Sequence, residues 1–204
     1  ALPFAARRAR LEAWVAERAP ARLDLSPLVP FAAWPELAGL RAGARAAAQE
    51  GLMLKRRDSA YVGGRPMGPW FKWKRDPLTA DCVLMYAQRG HGKRSSYYSD
   101  FTFGAWRPGP EGEELTPVGK AYSGFTDEEL RRLDRFVREN TVDRYGPVRA
   151  VAQSLVLEIA FDAVQRSTRH KSGVAMRFPR IKRIRWDKPA EEAERLATLE
   201  RFAE

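Results

Sequence analysis

The chain is poor in the residues that build disulfide and metal frameworks: Cys82 is its only cysteine, and His91 and His170 are its only histidines among 204 residues. One thiol excludes an internal disulfide and a cysteine-rich zinc site. The two histidines stand far apart in basic loops, without the spacing of metal ligands, and read as polar contacts. No segment approaches the roughly 18 consecutive apolar residues of a membrane span. The opening ALPFAARRARLEAWVAERAP is too charged for a secretory signal. No Ser-His-Asp or Cys-His grouping stands out, and there are no repeats or low-complexity tracts. These absences lead to the expectation of a cytoplasmic protein with no membrane partner. The first residue is Ala and not Met, which points to a processed chain or a fragment.

What the chain has in excess is positive charge. Its 36 Lys and Arg against 26 Asp and Glu give a net charge of +10. Such an excess calls for a polyanionic partner, nucleic acid first and an anionic membrane surface second. An apolar fraction of 44% with six Trp fits a folded globular protein and argues against disorder.

Along the chain, apolar spacing predicts a helix over about residues 8–17, with Leu11, Trp14 and Val15 on one side. RLDLSPLVPF predicts a short strand at Leu23 and Leu25, then a loop. WPELAGLRAGARAAAQEG predicts a helix that opens at Pro35, turns Leu37 and Leu40 inward and stops at Gly51. Strands are expected near Leu52–Arg56 and Trp70–Arg75, and a boundary near Asp76–Pro77. Beyond it, DCVLMYAQRG, YYSDFTFGAWR, ELTPVGKAYS, SLVLEIAFDAVQ and GVAMRFPRIKRIRW are five strand candidates. A helix lies between the third and fourth, where Thr126 and Glu129 form a capping-box pattern ahead of Leu130, Leu133, Phe136 and Val137. A closing helix is expected from Pro189. Five strands with one helix after the third is the order of an OB-fold barrel. The expected class is therefore α+β and mainly β: residues 77–204 form a five-stranded OB barrel with an inserted helix and a C-terminal helix, and residues 1–76 a small α+β segment before it.

Three groups of residues carry candidate chemistry. In WFKWKR, alternation puts Phe71 and Trp73 on one face, and Lys72 and Lys74 on the other. Two ammonium groups aimed into one space repel unless an anion lies between them, and a phosphate meets that demand; a solvated strand face is the alternative. In EGLMLK, Lys55 emerges from an apolar strand, and Glu50 offers oxygens to a hard cation such as Mg²⁺; there the alternative is that Gly51 simply ends a helix. Between Gln165 and Lys188 stand nine Lys and Arg with one acid, Asp187. Arg180, Lys182, Arg183 and Arg185 are not all neutralised locally in the sequence, which favours phosphate contact over a solvated basic face. The glycine-rich loop QRGHGKRSSYYSD adds Lys93 and Arg94, with Tyr97 and Tyr98, at a position where OB barrels often touch nucleic acid.

Together these stretches resemble the C-terminal part of an ATP-dependent DNA ligase, of the bacterial type associated with the cisplatin-damage response. EGLMLK is similar to motif IV of that superfamily and KWK, Lys72–Lys74, to motif V. RIRWDK is similar to motif VI, with Arg185, Asp187 and Lys188 at its defining positions, and EIAFDAVQRSTRHKSGVAMRFPR resembles the ligase OB domain. The resemblance covers nearly the whole chain. It implies that Lys55, Lys72 and Lys74 contact the nucleotide, that Glu50 helps place Mg²⁺, and that Arg185, Asp187 and Lys188 assist self-adenylation from ATP. The OB domain would clamp nicked duplex DNA through Lys93, Arg94, Arg166, Arg169, Lys171 and Arg180. It also implies repair use at the bacterial nucleoid.

One departure qualifies this resemblance. The family nucleophile is the Lys of a Lys-x-Asp-Gly motif, and this sequence contains no Asp-Gly dipeptide. Residues 1–76 are too few for a whole nucleotidyltransferase domain. The expectation is a C-terminal piece, inactive alone, whose partner is the missing N-terminal catalytic portion. The other readings are a non-catalytic OB module that binds nucleic acid and an RNA ligase or capping-type relative.

Overall fold

The computed structural model describes residues 1–47 and 49–203; the side chain of Lys93, expected at the DNA face, lies outside the described ones. The chain forms two compact units, Ala1–Asp76 and Pro77–Glu204.

The first unit has helices α1 (Phe4–Arg18) and α2 (Trp34–Gly43) and strands β1 (Gly51–Lys55) and β2 (Trp70–Lys74), which pair antiparallel. Among its described residues only Leu37 and Ala44 are buried apolar side chains. The stripe expected to be buried on α1 is open, with Leu11 43% and Trp14 46% exposed. Leu40, expected to face inward, is exposed as well. No strand forms at Leu23 and Leu25; that stretch has no ladder partner among the described residues, and Leu23 is exposed. Helix α2 ends at Gly43, well before Gly51. The Gln49 N–H reaches back five residues to Ala44 O at 2.8 Å, a wider turn than a helix makes. The helix-favouring Ala46 and Ala47 are thus drawn into a turn by a backbone bond that propensity does not foresee.

The second unit is mostly β. Its strands are β3 (Leu78–Arg89), β4 (Tyr98–Gly109), β5 (Gly112–Ala121), β6 (Thr141–Tyr145), β7 (Val148–Val151), β8 (Val156–Phe161), β9 (Ala163–Arg166), β10 (Val174–Arg177) and β11 (Arg180–Arg185). Helix α3 (Asp127–Glu139) follows β5, and α4 (Leu196–Arg201) closes the unit. The sheet runs β11-β8-β3-β4-β5, with β7 joined to β3 and to β6. It curls as a half-barrel around Phe101, Phe103, Phe161, Ile159 and Ile181, an architecture consistent with an OB-fold. Helix α3 covers the core with Leu130, Leu133 and Val137, and its Thr126–Glu129 capping box is complete.

Several details depart from five strands and two helices. The fourth and fifth candidates each break in two, at Asp162 and at Phe178–Pro179. A hairpin, β6–β7, turns at Gly146 (φ 58°) and Pro147. No ladder joins β5 to β11 among the described residues, and β9–β10 pairs as a separate ribbon. The closing helix starts at Leu196 and not at Pro189. Residues before it are used as a clip instead: Glu194 N donates to Asp81 O at 2.8 Å, Trp106 N to Glu194 O at 3.0 Å, and Trp106 Nε1 to Ala190 O at 2.7 Å.

The turn from β5 into α3 depends on Gly124, whose φ is 98°. A Cβ there would lie 2.0 Å from Ile181 O. Gly124→Ala is expected to destabilise the chain by about 2–4 kcal/mol, combining the left-handed backbone cost with overpacking. Urea denaturation followed by Trp fluorescence measures it, and an unchanged midpoint contradicts this packing.

Candidate functional site

Hairpin β1–β2 is built on a close backbone approach. Gly51 has a φ of 137°, and a Cβ on it would fall 2.3 Å from Trp73 O and 2.7 Å from Lys74 Cα. Gly51 therefore admits the second strand; it does not stop a helix. The crossing lets Arg75 N donate to Glu50 O at 2.9 Å and brings the Glu50 carboxylate 3.3 Å from Lys74 Nζ. Register places Lys74 opposite Gly51, Lys72 opposite Met53 and Lys55 opposite Trp70. Residues paired across an antiparallel ladder share a face, so Lys55, Lys72 and Lys74 stand on one face of the hairpin. Lys55 is exposed, and its ammonium lies 5.2 Å from the Phe4 ring and 5.8 Å from the Trp70 ring. Arg41 steadies the end of β2 through Lys74 O at 2.6 Å and Asp76.

The second cluster is in the other unit, at the end of β11. The Arg185 guanidinium grips Asp187 with Nε at 3.1 Å and Nη2 at 3.0 Å, and its Nη1 donates to Asp81 Oδ2 at 3.2 Å. Lys188 Nζ donates to the same Asp81 oxygen at 2.8 Å. The hydrogen bond from Arg185 holds the Asp187 carboxyl below the usual carboxylate range, and the same bond raises Arg185. Neighbouring cations are also paired: Lys182 with Glu158 at 2.7 Å and Arg180 with Asp162 at 3.4 Å. Three of these four cations thus find acids brought from elsewhere in the chain, while Arg183 has no carboxylate within 4.0 Å among the described residues. The acids come from β3, from β8 and from the Asp162 break that follows it. They are brought in by antiparallel pairing that sets Arg183 opposite Glu158. Asp81 is the residue that sequence reasoning passed over. Its signal was a lone charge in the apolar run ADCVLMYA, on the central strand.

The side chains expected to contact DNA do not gather in one place. Arg94 lies by the β5–α3 turn, with Nη1 3.4 Å from Tyr122 O and its guanidinium 5.3 Å from the Phe125 ring. Lys171 lies beyond the far end of β4, where its carbonyl accepts from Arg107 at 3.4 Å. Tyr98 and Arg107 are nine residues apart on that strand, a reach of up to roughly 30 Å. Arg166 and Arg169 flank the β9–β10 turn with Lys171. No carboxylate lies within 4.0 Å of any of these three among the described residues.

A family model described as the ATP dependent DNA ligase C terminal region matches residues 94–188. A probable DNA ligase of Koribacter versatilis is 47% identical over 169 residues, which is 83% of this chain and 28% of that relative. A DNA ligase of Haloferax volcanii is 34% identical over 203 residues, 99% of this chain and 34% of the relative. The chain therefore spans about a third or less of these relatives. A solved structure from a study of DNA binding by Lig E DNA ligases is similar in fold alone. Its TM-score is 0.62 at 18% identity, covering 91% of this chain and 59% of that one.

The Arg185–Asp187 pair makes a pH-dependent contribution of definite sign. It is fully present above the ordinary carboxylate range and is lost as pH falls through the lowered Asp187 value. In an NMR titration, Asp187 is expected to titrate below a free Asp and to move up in Arg185→Gln. An Asp187 midpoint unchanged by that substitution contradicts the pairing.

Proposed function

This chain carries the C-terminal region of the ATP-dependent DNA ligase family, and on that premise we propose that it is the C-terminal portion of an enzyme that seals nicks in duplex DNA. The parent enzyme would use ATP and Mg²⁺, pass through lysyl-AMP and DNA-adenylate, and serve DNA repair. Residues 1–76 are the end of its nucleotidyltransferase domain, and residues 77–204 its OB domain. The observation that carries the proposal is the shared face of Lys55, Lys72 and Lys74 beside Glu50. A module that only bound DNA has no need of this face.

Within that reading, Lys72 and Lys74 hold the nucleotide phosphate by charge and position. Lys55, held against two rings, supports the same face from β1. Mg²⁺ is commonly bound by one or two carboxylates together with substrate phosphates. Among the described residues no three acidic, His or Cys groups are placed to hold a metal ion together, so Glu50 fits a site shared with the nucleotide and not an all-protein cage. The ion would neutralise phosphate charge. Arg185 uses three of its five N–H donors on Asp187 and Asp81, which leaves two for a pyrophosphate oxygen. Lys188 keeps donors beyond its bond to Asp81, so Asp81 and Asp187 orient both cations without exhausting them. Lys93, Arg94, Arg166, Arg169 and Lys171 contact the DNA backbone. Arg180, paired with Asp162, is left out of that set.

For the chain by itself, the missing Lys-x-Asp-Gly favours a binding role without catalysis. The chain alone is expected to form no covalent AMP adduct from labelled ATP. In a full-length parent enzyme, Lys72→Ala and Lys74→Ala should each lower nick sealing by at least about 100-fold, on the scale of losing one preorganised electrostatic contact. Neither opens a large core cavity, because both side chains are exposed. Sealing by the chain alone, or wild-type rates in both variants, would contradict the proposal.

A further inference from the structure

Three guanidiniums outside the motifs converge on one ring. Arg89, at the end of β3, lies 5.1 Å from the Tyr98 ring centroid; Arg138 of α3 lies at 5.5 Å and Arg149 of β7 at 5.9 Å. Tyr98 itself is buried, and its backbone N–H donates to Asp134 Oδ1 at 2.9 Å. Arg138 Nε bonds the other Asp134 oxygen at 2.7 Å. Arg89 and Arg138 also share a single acceptor, Ser96 O, at 2.9 and 3.1 Å. Among the described residues Arg149 bonds only carbonyls, at 2.9 Å to Gly146 O and 3.3 Å to Val148 O. Three positive charges thus meet one carboxylate.

We infer that this cluster is a phosphate-binding face for the nucleic-acid backbone, separate from the β9–β10 loop. It rests on the reading of the second unit as a DNA-contacting OB domain and adds a surface to it. The physical reason is repulsion. Cations gathered around one ring cost free energy unless an anion lies among them, and Asp134 answers only one of the three. The cluster needs no loop to assemble it, because β3, β7 and α3 are regular elements that fix the three side chains in place. The shape of the charge selects a polymer over a small anion. Arg131, Arg135 and Arg138 follow at i, i+4 and i+7 on α3, one helical stripe. Seven residues of helix rise about 10 Å, close to three nucleotide steps of about 3.4 Å along the duplex axis. A row of cations on that scale suits consecutive phosphodiesters.

The test uses the whole 204-residue chain and a fluorescein-labelled duplex without a nick, with affinity measured by anisotropy at several KCl concentrations. Arg138 is kept, because its loss would strip the buried Asp134 of its partner. R89Q/R149Q is expected to flatten the plot of log affinity against log salt by about 1.8, or 0.9 for each lost phosphate contact. R166Q/R169Q should flatten it by a similar, additive amount, reporting the β9–β10 loop. R89K/R149K keeps both charges and should retain the wild-type slope, which separates charge from packing on Tyr98. A wild-type slope in R89Q/R149Q, or equal flattening in R89K/R149K, overturns this inference and leaves the ligase reading standing. Absence of any salt-dependent binding by the wild-type chain overturns both.

Discussion

Strand β3 is the constraint on which the second unit depends. Its first half, Leu78–Val83, pairs with β8, and its second half pairs with β4, while Tyr86–Gln88 also accept β7. Register shifts at Leu84/Tyr86 and Gln88/Arg89 bend it, and that bend turns a sheet into a half-barrel. Cys82, Val83 and Leu84 are fully buried along it, so the middle of the strand is covered on both faces. Burial also pushes the Cys82 thiol well above its ordinary value, with Asp81 and Glu194 adding to the effect. A buried thiol of this kind packs as a small apolar residue and is inert.

The same strand distributes charge. Asp81, near its start, reaches Arg185 and Lys188, while Arg89, at its end, joins Arg138 and Arg149 on Tyr98. One end therefore quiets cations and the other accumulates them. Between the two, β8 supplies Glu158 to Lys182, and Asp162 beyond it pairs with Arg180. A net charge of +10 is consequently not spread evenly over the surface. The positive charge left for a polyanion lies in the β9–β10 turn, at Arg94 and around Tyr98. On the proposed reading both conditions have a use: cations fixed by carboxylates for geometry, and cations without them for the DNA backbone.

Most of the architecture was legible in the sequence because alternation and capping are local signals. The Thr126–Glu129 box and the Leu130, Leu133, Val137 stripe produced α3 directly. The β6–β7 hairpin was missed although Gly146–Pro147 marked its turn. The closing helix was placed too early because Ala, Glu and Arg favour a helix locally, while residues 190–195 bond across to β3 and β4. In the first unit the apolar spacing on α1 is genuine, yet nothing described covers Leu11 and Trp14. Lysines at alternate positions on β2 were readable from periodicity alone, since a strand leaves no other place for them. Ion pairing was not readable. A tract with nine cations and one acid looks unneutralised in one dimension, whereas antiparallel pairing carries Asp81, Glu158 and Asp162 to it from elsewhere. Long-range partners decide which charges remain available, and sequence distance hides them.

Availability of arginines to DNA is therefore the most direct test of the account. An arginine-selective reagent such as phenylglyoxal, applied to the chain with and without duplex DNA and read by mass spectrometry, reports each side chain separately. The account predicts that DNA protects Arg94, Arg166, Arg169, Arg89 and Arg149, while the modification of Arg185 and Arg180 does not depend on DNA. Protection confined to Arg180 and Arg185, with the other five reacting equally in both samples, would contradict it.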